Sequence, residues 1–234
     1  MTVAVVIVAA GRGRRLGAEI PKQYIPLGPA CSLRRVAELF LSVDAVQWIV
    51  PVIHPEDQSL CDRASDGLHD PRLLPAAHGA ETRALSVRCG LEALAAHEPE
   101  HVLIHDAARP FLPRPVISDV IDALQYSTGV CAALPVVDAL WTSQDGAARA
   151  AVPREGIWRA QTPQAFSFAS ILNAHRNHDG TATDDVAVAV QAGLNVTFVR
   201  GSERNYKITT TDDLERAIRD AEAQDAADAR AHLR

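Results

Sequence analysis

The stretch VAVVIVAAGRGRRLG, residues 3–17, decides the fold class. Its first seven residues, Val3–Ala9, are apolar and largely β-branched, as expected for a strand buried on both faces of a parallel sheet. Glycines follow at once, at positions 11, 13 and 17. In an open α/β sheet the ligand crevice lies beyond the carboxyl ends of the strands. Glycines there let backbone N–H groups approach a phosphate chain, so the stretch predicts an α/β domain with a phosphate-binding loop.

The loop is not one of the common nucleotide-binding fingerprints. GxxxxGK[ST] does not occur, and Gly17 stands one place too late for GxGxxG. Cations strengthen the phosphate interpretation over a plain turn, because Arg15 and Lys22 lie in or just after the glycine segment. Phosphoryl transfer needs backbone donors together with fixed cations around the leaving group.

The rest of the chain alternates between strand and helix patterns. Strands are predicted at residues 46–53, 102–104, 130–137 and 195–199, and helices at 32–40, 55–64, 82–94, 115–124, 168–176, 184–192 and from 211. This alternation predicts a mainly parallel sheet covered by helices. We treat residues 1–234 as one domain, with an interaction arm inserted at about 138–159 and a fraying helical tail at about 221–234.

Composition narrows the class of protein. The chain has 234 residues, 47% of them hydrophobic and 22% charged, which excludes a disordered chain and a disulfide scaffold. Its four cysteines form no CxxC pair, which indicates reduced thiols and a cytoplasmic location. The longest apolar run, residues 3–10, is far shorter than the ~20 residues that cross a bilayer, so we expect no membrane span.

Charge is distributed unevenly. The net charge of −6 argues against a nucleic-acid partner. Residues 1–36, however, contain six of the 23 basic residues and only one of the 29 acidic residues. A cationic segment on an anionic chain is compatible with a small, highly charged ligand at the N-terminal end, although composition alone favours a solvated loop.

Four motifs occur in order along the chain: AAGRGRRLGAEIPKQ (9–23), HDAARP (105–110), TPQAF (162–166) and NYKITTTDDL (205–214). Together they resemble the 2-C-methyl-D-erythritol 4-phosphate cytidylyltransferases of the non-mevalonate isoprenoid pathway. The first motif is shared by many sugar-phosphate nucleotidyltransferases, and the other three are more specific. The resemblance implies a Rossmann-like sheet of the nucleotidyltransferase type with a protruding dimerisation arm. It also implies CTP, Mg²⁺, a small polyol phosphate as acceptor, and a homodimer whose sites are shared across the interface.

The resemblance also implies which residues bind the nucleotide. Arg15 and Lys22 would be catalytic, neutralising charge that grows on the α-phosphate and the bridging oxygen. Ser86 would reach the cytosine, although a serine on a helix surface is nearly as good an interpretation. The full set expected to bind nucleotide is Ala9, Ala10, Gly11, Arg12, Gly13, Gly79, Ala80, Arg83 and Ser86.

A second set of residues is implied for the acceptor: Asp106, Arg109, Arg154, Thr162, Thr183 and Lys207. Asp106 would hold Mg²⁺ or a sugar hydroxyl, with a turn cap as the alternative. Lys207 suits a phosphate as a point charge. Arg154, at the end of the arm, would cross into the partner's site. His105 is expected to be packed rather than catalytic, and Asp184 to cap a helix.

One departure keeps other acceptors open. Ala139 stands where the family usually has threonine, and losing that hydroxyl removes a hydrogen bond worth ~1 kcal/mol. A cytidylyltransferase for another polyol phosphate, such as ribitol 5-phosphate, is therefore the alternative function. A molybdopterin nucleotidyltransferase, a regulatory nucleotide-binding module and a purely structural dimerisation domain rank lower.

Overall fold

A computed structural model of the chain describes residues 1–12 and 20–232. Its main sheet has seven strands in the order β11-β7-β10-β6-β1-β4-β5, and only β10 runs antiparallel to its neighbours. The predicted mainly parallel sheet is thereby confirmed. The strands are β1 Val3–Ala9, β2 Pro26–Leu27, β3 Ala30–Cys31, β4 Val46–Ile53, β5 Ala77–His78, β6 His101–Asp106, β7 Gly129–Pro135, β8 Leu140–Gln144, β9 Ala147–Val152, β10 Trp158–Ser167 and β11 Val196–Arg200.

Helices cover both faces of this sheet. They are α1 Ser32–Leu41, α2 Gln58–Ser65, α3 Arg83–Leu94, α4 Arg114–Ala123, α5 Phe168–Asn177, α6 Asp185–Gln191 and α7 Thr211–His232. Strand β1 lies between β4 and β6, and its side chains alternate between two apolar clusters. Val5 and Ile7 join the cluster that includes α1 and α4, whereas Val6 joins the one that includes α3 and α5. The pleat thus explains why every residue of this strand is apolar.

A glycine sets the distance between α3 and the sheet. A Cβ on Gly90 would lie 2.6 Å from Val52 Cγ2 and 2.7 Å from Val6 Cγ1, closer than real contacts allow. Only glycine therefore permits this approach. The first turn of α3 contains Arg83 and Ser86, so this packing also fixes where those two side chains lie.

The predicted break at 138–159 is a two-stranded hairpin, β8–β9, which forms a sheet of its own outside the main one. Nearly all of its residues are exposed, and the Trp141 side chain is 60% exposed. The chain then returns as β10 between β6 and β7, a central strand that the sequence patterns did not predict. The segment predicted as an arm thus contains an exposed hairpin, and its role as a dimerisation arm stays a prediction.

The last helix packs on the molecule through a third cluster, which joins Ala217 and Ala221 of α7 to Leu27, Phe111 and Ile208. The helix is continuous to His232, and it includes the segment from residue 221 that we expected to fray. Among the described residues, no helix combines the length and apolar character needed to cross a membrane.

Candidate functional site

A cavity of about 950 Å³ opens at the carboxyl ends of β1, β4 and β6. Its walls bring together most of the residues that the sequence singled out, from five separate segments of the chain. Those residues are Ala9, Ala10, Gly11, Arg12, Lys22, Gly79, Ala80, Arg83, Ser86, Asp106 and Lys207. Gly13 and Arg15 lie outside the residues that the structure describes.

The start of the glycine loop is fixed by a neighbouring side chain. Buried Gln23 donates from Nε2 to the carbonyl oxygens of Ala9 and Gly11, the second at 3.2 Å. The same 3₁₀ turn, Lys22–Tyr24, directs Lys22 to the cavity, where its Nζ donates to the Ile208 carbonyl at 2.6 Å. Consecutive residues of the PKQ motif thus hold the loop and place a cation beside it.

The chain uses lysine only at this cavity. Of its 23 basic residues two are lysines, Lys22 and Lys207, and both line the cavity. Arg12 and Arg83 add two further positive charges to the lining. Its negative charges are the carboxylates of Glu81 and Asp106. The described lining is therefore net positive, as a polyphosphate ligand requires.

The opposite wall is built for a close approach of backbone. Ser86 is buried rather than a surface serine. Its hydroxyl oxygen accepts from the Ala80 N–H at 3.0 Å and lies within donating distance of two carbonyl oxygens, that of Thr82 at 2.8 Å and that of Ala80 at 3.1 Å. A Cβ on Gly79 would lie 2.6 Å from Ala10 Cβ. Gly79, Ala80 and the Ser86 hydroxyl thus keep this wall of the cavity close to Ala10, at the start of the glycine loop.

Asp106 is the electrostatic centre of the site. Its side chain is 8% exposed and faces Lys207 Nζ at 2.7 Å, Arg83 Nε at 3.3 Å and Arg109 Nε at 3.8 Å. Burial by itself raises the pKa of the carboxyl, but these three cations outweigh it and hold the pKa far below its usual range. Asp106 is therefore ionised at every physiological pH.

Behind Asp106, a buried histidine joins two motifs. His105 Nε2 lies 3.1 Å from the Arg109 carbonyl, which only accepts, so Nε2 bears the proton. Its Nδ1 then accepts from the Thr162 hydroxyl at 3.0 Å, and the same oxygen accepts from the Asp106 N–H at 3.1 Å. Burial lowers the pKa of His105 to about 4, which keeps the ring neutral. The prediction that His105 is packed is in keeping with these contacts.

The other motif residues support this arrangement from further away. Gln164 accepts at Oε1 from the N–H groups of Asp185 and Val186 at 2.8 and 3.0 Å, which fixes the start of α6. Buried Asn205 donates to the Thr162 carbonyl at 2.7 Å, and its own carbonyl accepts from Arg109 Nη1 at 2.7 Å. The HDAARP, TPQAF and NYKIT motifs therefore meet around Asp106.

Four of the six predicted acceptor residues are not among those that line the cavity. Arg154 lies at the base of the arm, where its Nη1 donates to the Val137 carbonyl. Thr183 is exposed just before α6, next to Asp184, whose carboxylate accepts from the Ala187 N–H at 3.0 Å. The cap predicted for Asp184 is confirmed. Thr162 and Arg109 do not line the cavity either, but both contact Asp106.

In this arrangement the Asp106 carboxylate is poorly suited to serve as a ligand of Mg²⁺. Three cations already surround its carboxylate, and the described residues contain no group of three His, Cys, Asp or Glu side chains able to hold a metal. Mg²⁺ is commonly held by substrate phosphates and water with one or two carboxylates. An ion here would therefore depend on a triphosphate rather than on a cage of side chains.

Sequence reasoning missed several residues of the site. Gln23 stood in a quoted motif and its buried position was not anticipated. His54 and Pro55, which follow β4, and Thr209, which follows Lys207, also line the cavity. Their only signal was position, since each comes shortly after a strand end or a predicted site residue.

A mainly parallel sheet with a basic, glycine-lined cavity at its strand ends is the arrangement expected of the nucleotidyltransferase class. The model of the 2-C-methyl-D-erythritol 4-phosphate cytidylyltransferase family matches residues 3–220, and the chain belongs to that family. The resemblance and the fold predicted from sequence are confirmed.

Individual relatives agree with the family match. An enzyme of that name from Cereibacter sphaeroides is 43% identical over 94% of this chain and 96% of its own length. The bifunctional enzyme IspD/IspF of Paramagnetospirillum magneticum is 47% identical over 91% of this chain, which spans 55% of that relative. The crystal structure of the Thermus thermophilus cytidylyltransferase aligns with a TM-score of 0.76 and 31% identity over 95% of this chain and all of the other. These matches do not favour the ribitol phosphate alternative.

We predict that Thr162→Val destabilises the fold while Thr162→Ser does not. Valine removes the donor to His105 and the acceptor for the Asp106 N–H, and an unsatisfied buried polar group costs about 1–3 kcal/mol. Serine keeps the hydroxyl. Urea unfolding of both variants checks this, and equal stability of the two would show that the hydroxyl does not bind this strand end.

Proposed function

We propose that this chain transfers a cytidylyl group from CTP to 2-C-methyl-D-erythritol 4-phosphate, giving 4-diphosphocytidyl-2-C-methyl-D-erythritol and pyrophosphate. The observation behind the proposal is the cavity in which the start of the glycine loop, both lysines and Asp106 meet. An oxygen of the acceptor's phosphate attacks the α-phosphorus of CTP, and the bond to the bridging oxygen of the pyrophosphate breaks. No general base is needed, because a phosphate monoester is already ionised near neutral pH.

The triphosphate end belongs at the glycine loop. Backbone N–H groups after β1 would receive the phosphate oxygens, and Lys22 would oppose charge that develops around the α-phosphate. A fixed cation of this kind typically contributes several kcal/mol to a transition state. Arg15 keeps the same predicted role. The narrow wall at Gly79, Ala80 and Ser86 is suited to a planar base lying against backbone.

The acceptor end belongs at Asp106. Its cluster leaves Lys207 at the cavity surface with a side chain that is 37% exposed, ready to meet an incoming phosphate. Arg109 and Thr162 would act here by holding Asp106, and Thr183 would complete the pocket from the α6 side. Arg154 is proposed to act in a second subunit of a homodimer, reached by the arm.

A divalent cation, Mg²⁺ by preference, remains part of the proposal as a companion of the triphosphate. It would add positive charge between phosphate oxygens, and none of the steps above is assigned to it. A cytoplasmic location is likewise proposed, in keeping with four free cysteines.

Pyrophosphate release tests the reaction directly. With Mg²⁺ present, we expect fast release only when CTP and 2-C-methyl-D-erythritol 4-phosphate are supplied together. ATP, GTP and UTP serve as nucleotide controls, and ribitol 5-phosphate as the rival acceptor. A preference for ribitol 5-phosphate would overturn the acceptor but not the chemistry. No release with either acceptor, from protein that binds CTP, would support the regulatory interpretation.

The two lysines allow the two halves of the site to be observed separately. Protein labelled biosynthetically with ε-¹³C lysine gives one side-chain signal each for Lys22 and Lys207, assigned with Lys22→Arg and Lys207→Arg. We expect CTP to shift mainly the Lys22 signal and the acceptor to shift mainly the Lys207 signal. The reverse pattern would exchange the proposed nucleotide and acceptor ends.

Mixed subunits test whether sites are shared. Subunits with Lys22→Ala and subunits with Arg154→Ala should each be nearly inactive when alone. After subunit exchange, half of the dimers are mixed and each has one intact site, so about a quarter of the original activity should return. Mass spectrometry verifies that the subunits have exchanged. If no activity returns after exchange, Arg154 acts in the site of its own subunit or in no site.

A further inference from the structure

The side chain of Arg12 turns away from its own loop. Arg12 follows Gly11 at the end of β1, yet its guanidinium reaches the turn after β4. There its Nη1 lies 3.0 Å from Asp57 Oδ1, and its Nη2 pairs with Glu56. The two acids differ, because the Asp57 side chain is 3% exposed and that of Glu56 is 71% exposed.

Asp57 is not an ordinary helix cap. It occupies the N-cap position of α2, but its side chain makes no capping hydrogen bond. Within the described residues its Oδ2 has no hydrogen-bond partner, so Arg12 is the cation that compensates this buried charge. Since an uncompensated buried carboxylate is strongly unfavourable, the pair draws Arg12 firmly to the β4 side.

The pair joins two walls of the cavity. Strands β1 and β4 are parallel neighbours in which Ala9 pairs with Ile53, so the loops that follow them leave the sheet side by side. Gln23 adds a second restraint, because it donates to the carbonyls of Ala9 and Gly11. The start of the loop is thus held by two side chains before any ligand enters.

We propose that Asp57 is a positioning residue that acts through Arg12 to preorder residues 10–12, the start of the glycine loop, for the triphosphate end of the nucleotide. This inference rests on the proposed function. A backbone segment that is already ordered loses less conformational entropy on binding, and this gain applies to ligands that contact the segment. The β- and γ-phosphates of CTP would contact it, whereas CMP lacks both.

The test compares the affinities of the full chain for CTP and CMP by isothermal titration calorimetry. Asp57→Asn should weaken CTP about tenfold, within the usual range of coupling between sites, and change CMP less than twofold. Asp62→Asn is the matched control, because the same change is made at an exposed residue of α2. It should alter neither affinity. Circular dichroism verifies that each variant is folded.

A double-mutant cycle shows whether Asp57 acts through Arg12. Arg12→Gln should also weaken CTP selectively, and adding Asp57→Asn to it should cause no further loss. Should Asp57→Asn fail to fold, Arg12→Lys gives the CTP-to-CMP readout instead, because it keeps a positive charge beside buried Asp57 while removing the two-nitrogen contact with Asp57 and Glu56.

The outcomes separate this inference from the function on which it rests. An unchanged CTP-to-CMP ratio in the folded variants, tighter CTP binding, or additive effects in the cycle would overturn the positioning role alone. An unsubstituted chain that binds no CTP would overturn the proposed function and this role together.

Discussion

The buried negative charge of Asp106 is the constraint on which the site depends. A carboxylate removed from water is stable only beside cations, and this one has three. Arg83 comes from α3, Arg109 from the turn after β6, and Lys207 from the segment before α7. Compensation of one charge therefore draws α3 and the segment before α7, both distant in sequence, to the strand end that carries Asp106 and Arg109, and the cavity forms between them.

Around that charge, the motif residues act mostly as supports. Thr162 binds the backbone of Asp106, Gln164 fixes the start of α6, and Asn205 ties the C-terminal segment to β10. None of these three lines the cavity, yet each determines where a cavity residue stands. Several residues of the TPQAF and NYKIT motifs are therefore needed to provide hydrogen-bond partners for buried polar groups.

Local patterns predicted what local forces determine. Val3–Ala9 is apolar throughout and was correctly predicted as a strand buried on both faces. Strand β10 was missed, because Trp158–Ser167 contains Arg159, Gln161, Thr162 and Gln164, which do not look like a central strand. Their partners include Ser202, Asn205 and Asp185, at least twenty residues away, so no local pattern reveals how they are satisfied. The pairing of Arg12 with Asp57 was hidden for the same reason.

One short backbone segment links the two lysines of the cavity. Lys22 donates to the carbonyl of Ile208, 186 residues away, and Ile208 directly follows Lys207. The Ile208 N–H in turn donates to the Ala108 carbonyl at 2.9 Å, just after Asp106. A shift of this short segment would move Lys207 from Asp106 and Lys22 from its carbonyl at once. The nucleotide and acceptor ends of the proposed reaction thus share one piece of backbone, which fixes the spacing between their two lysines.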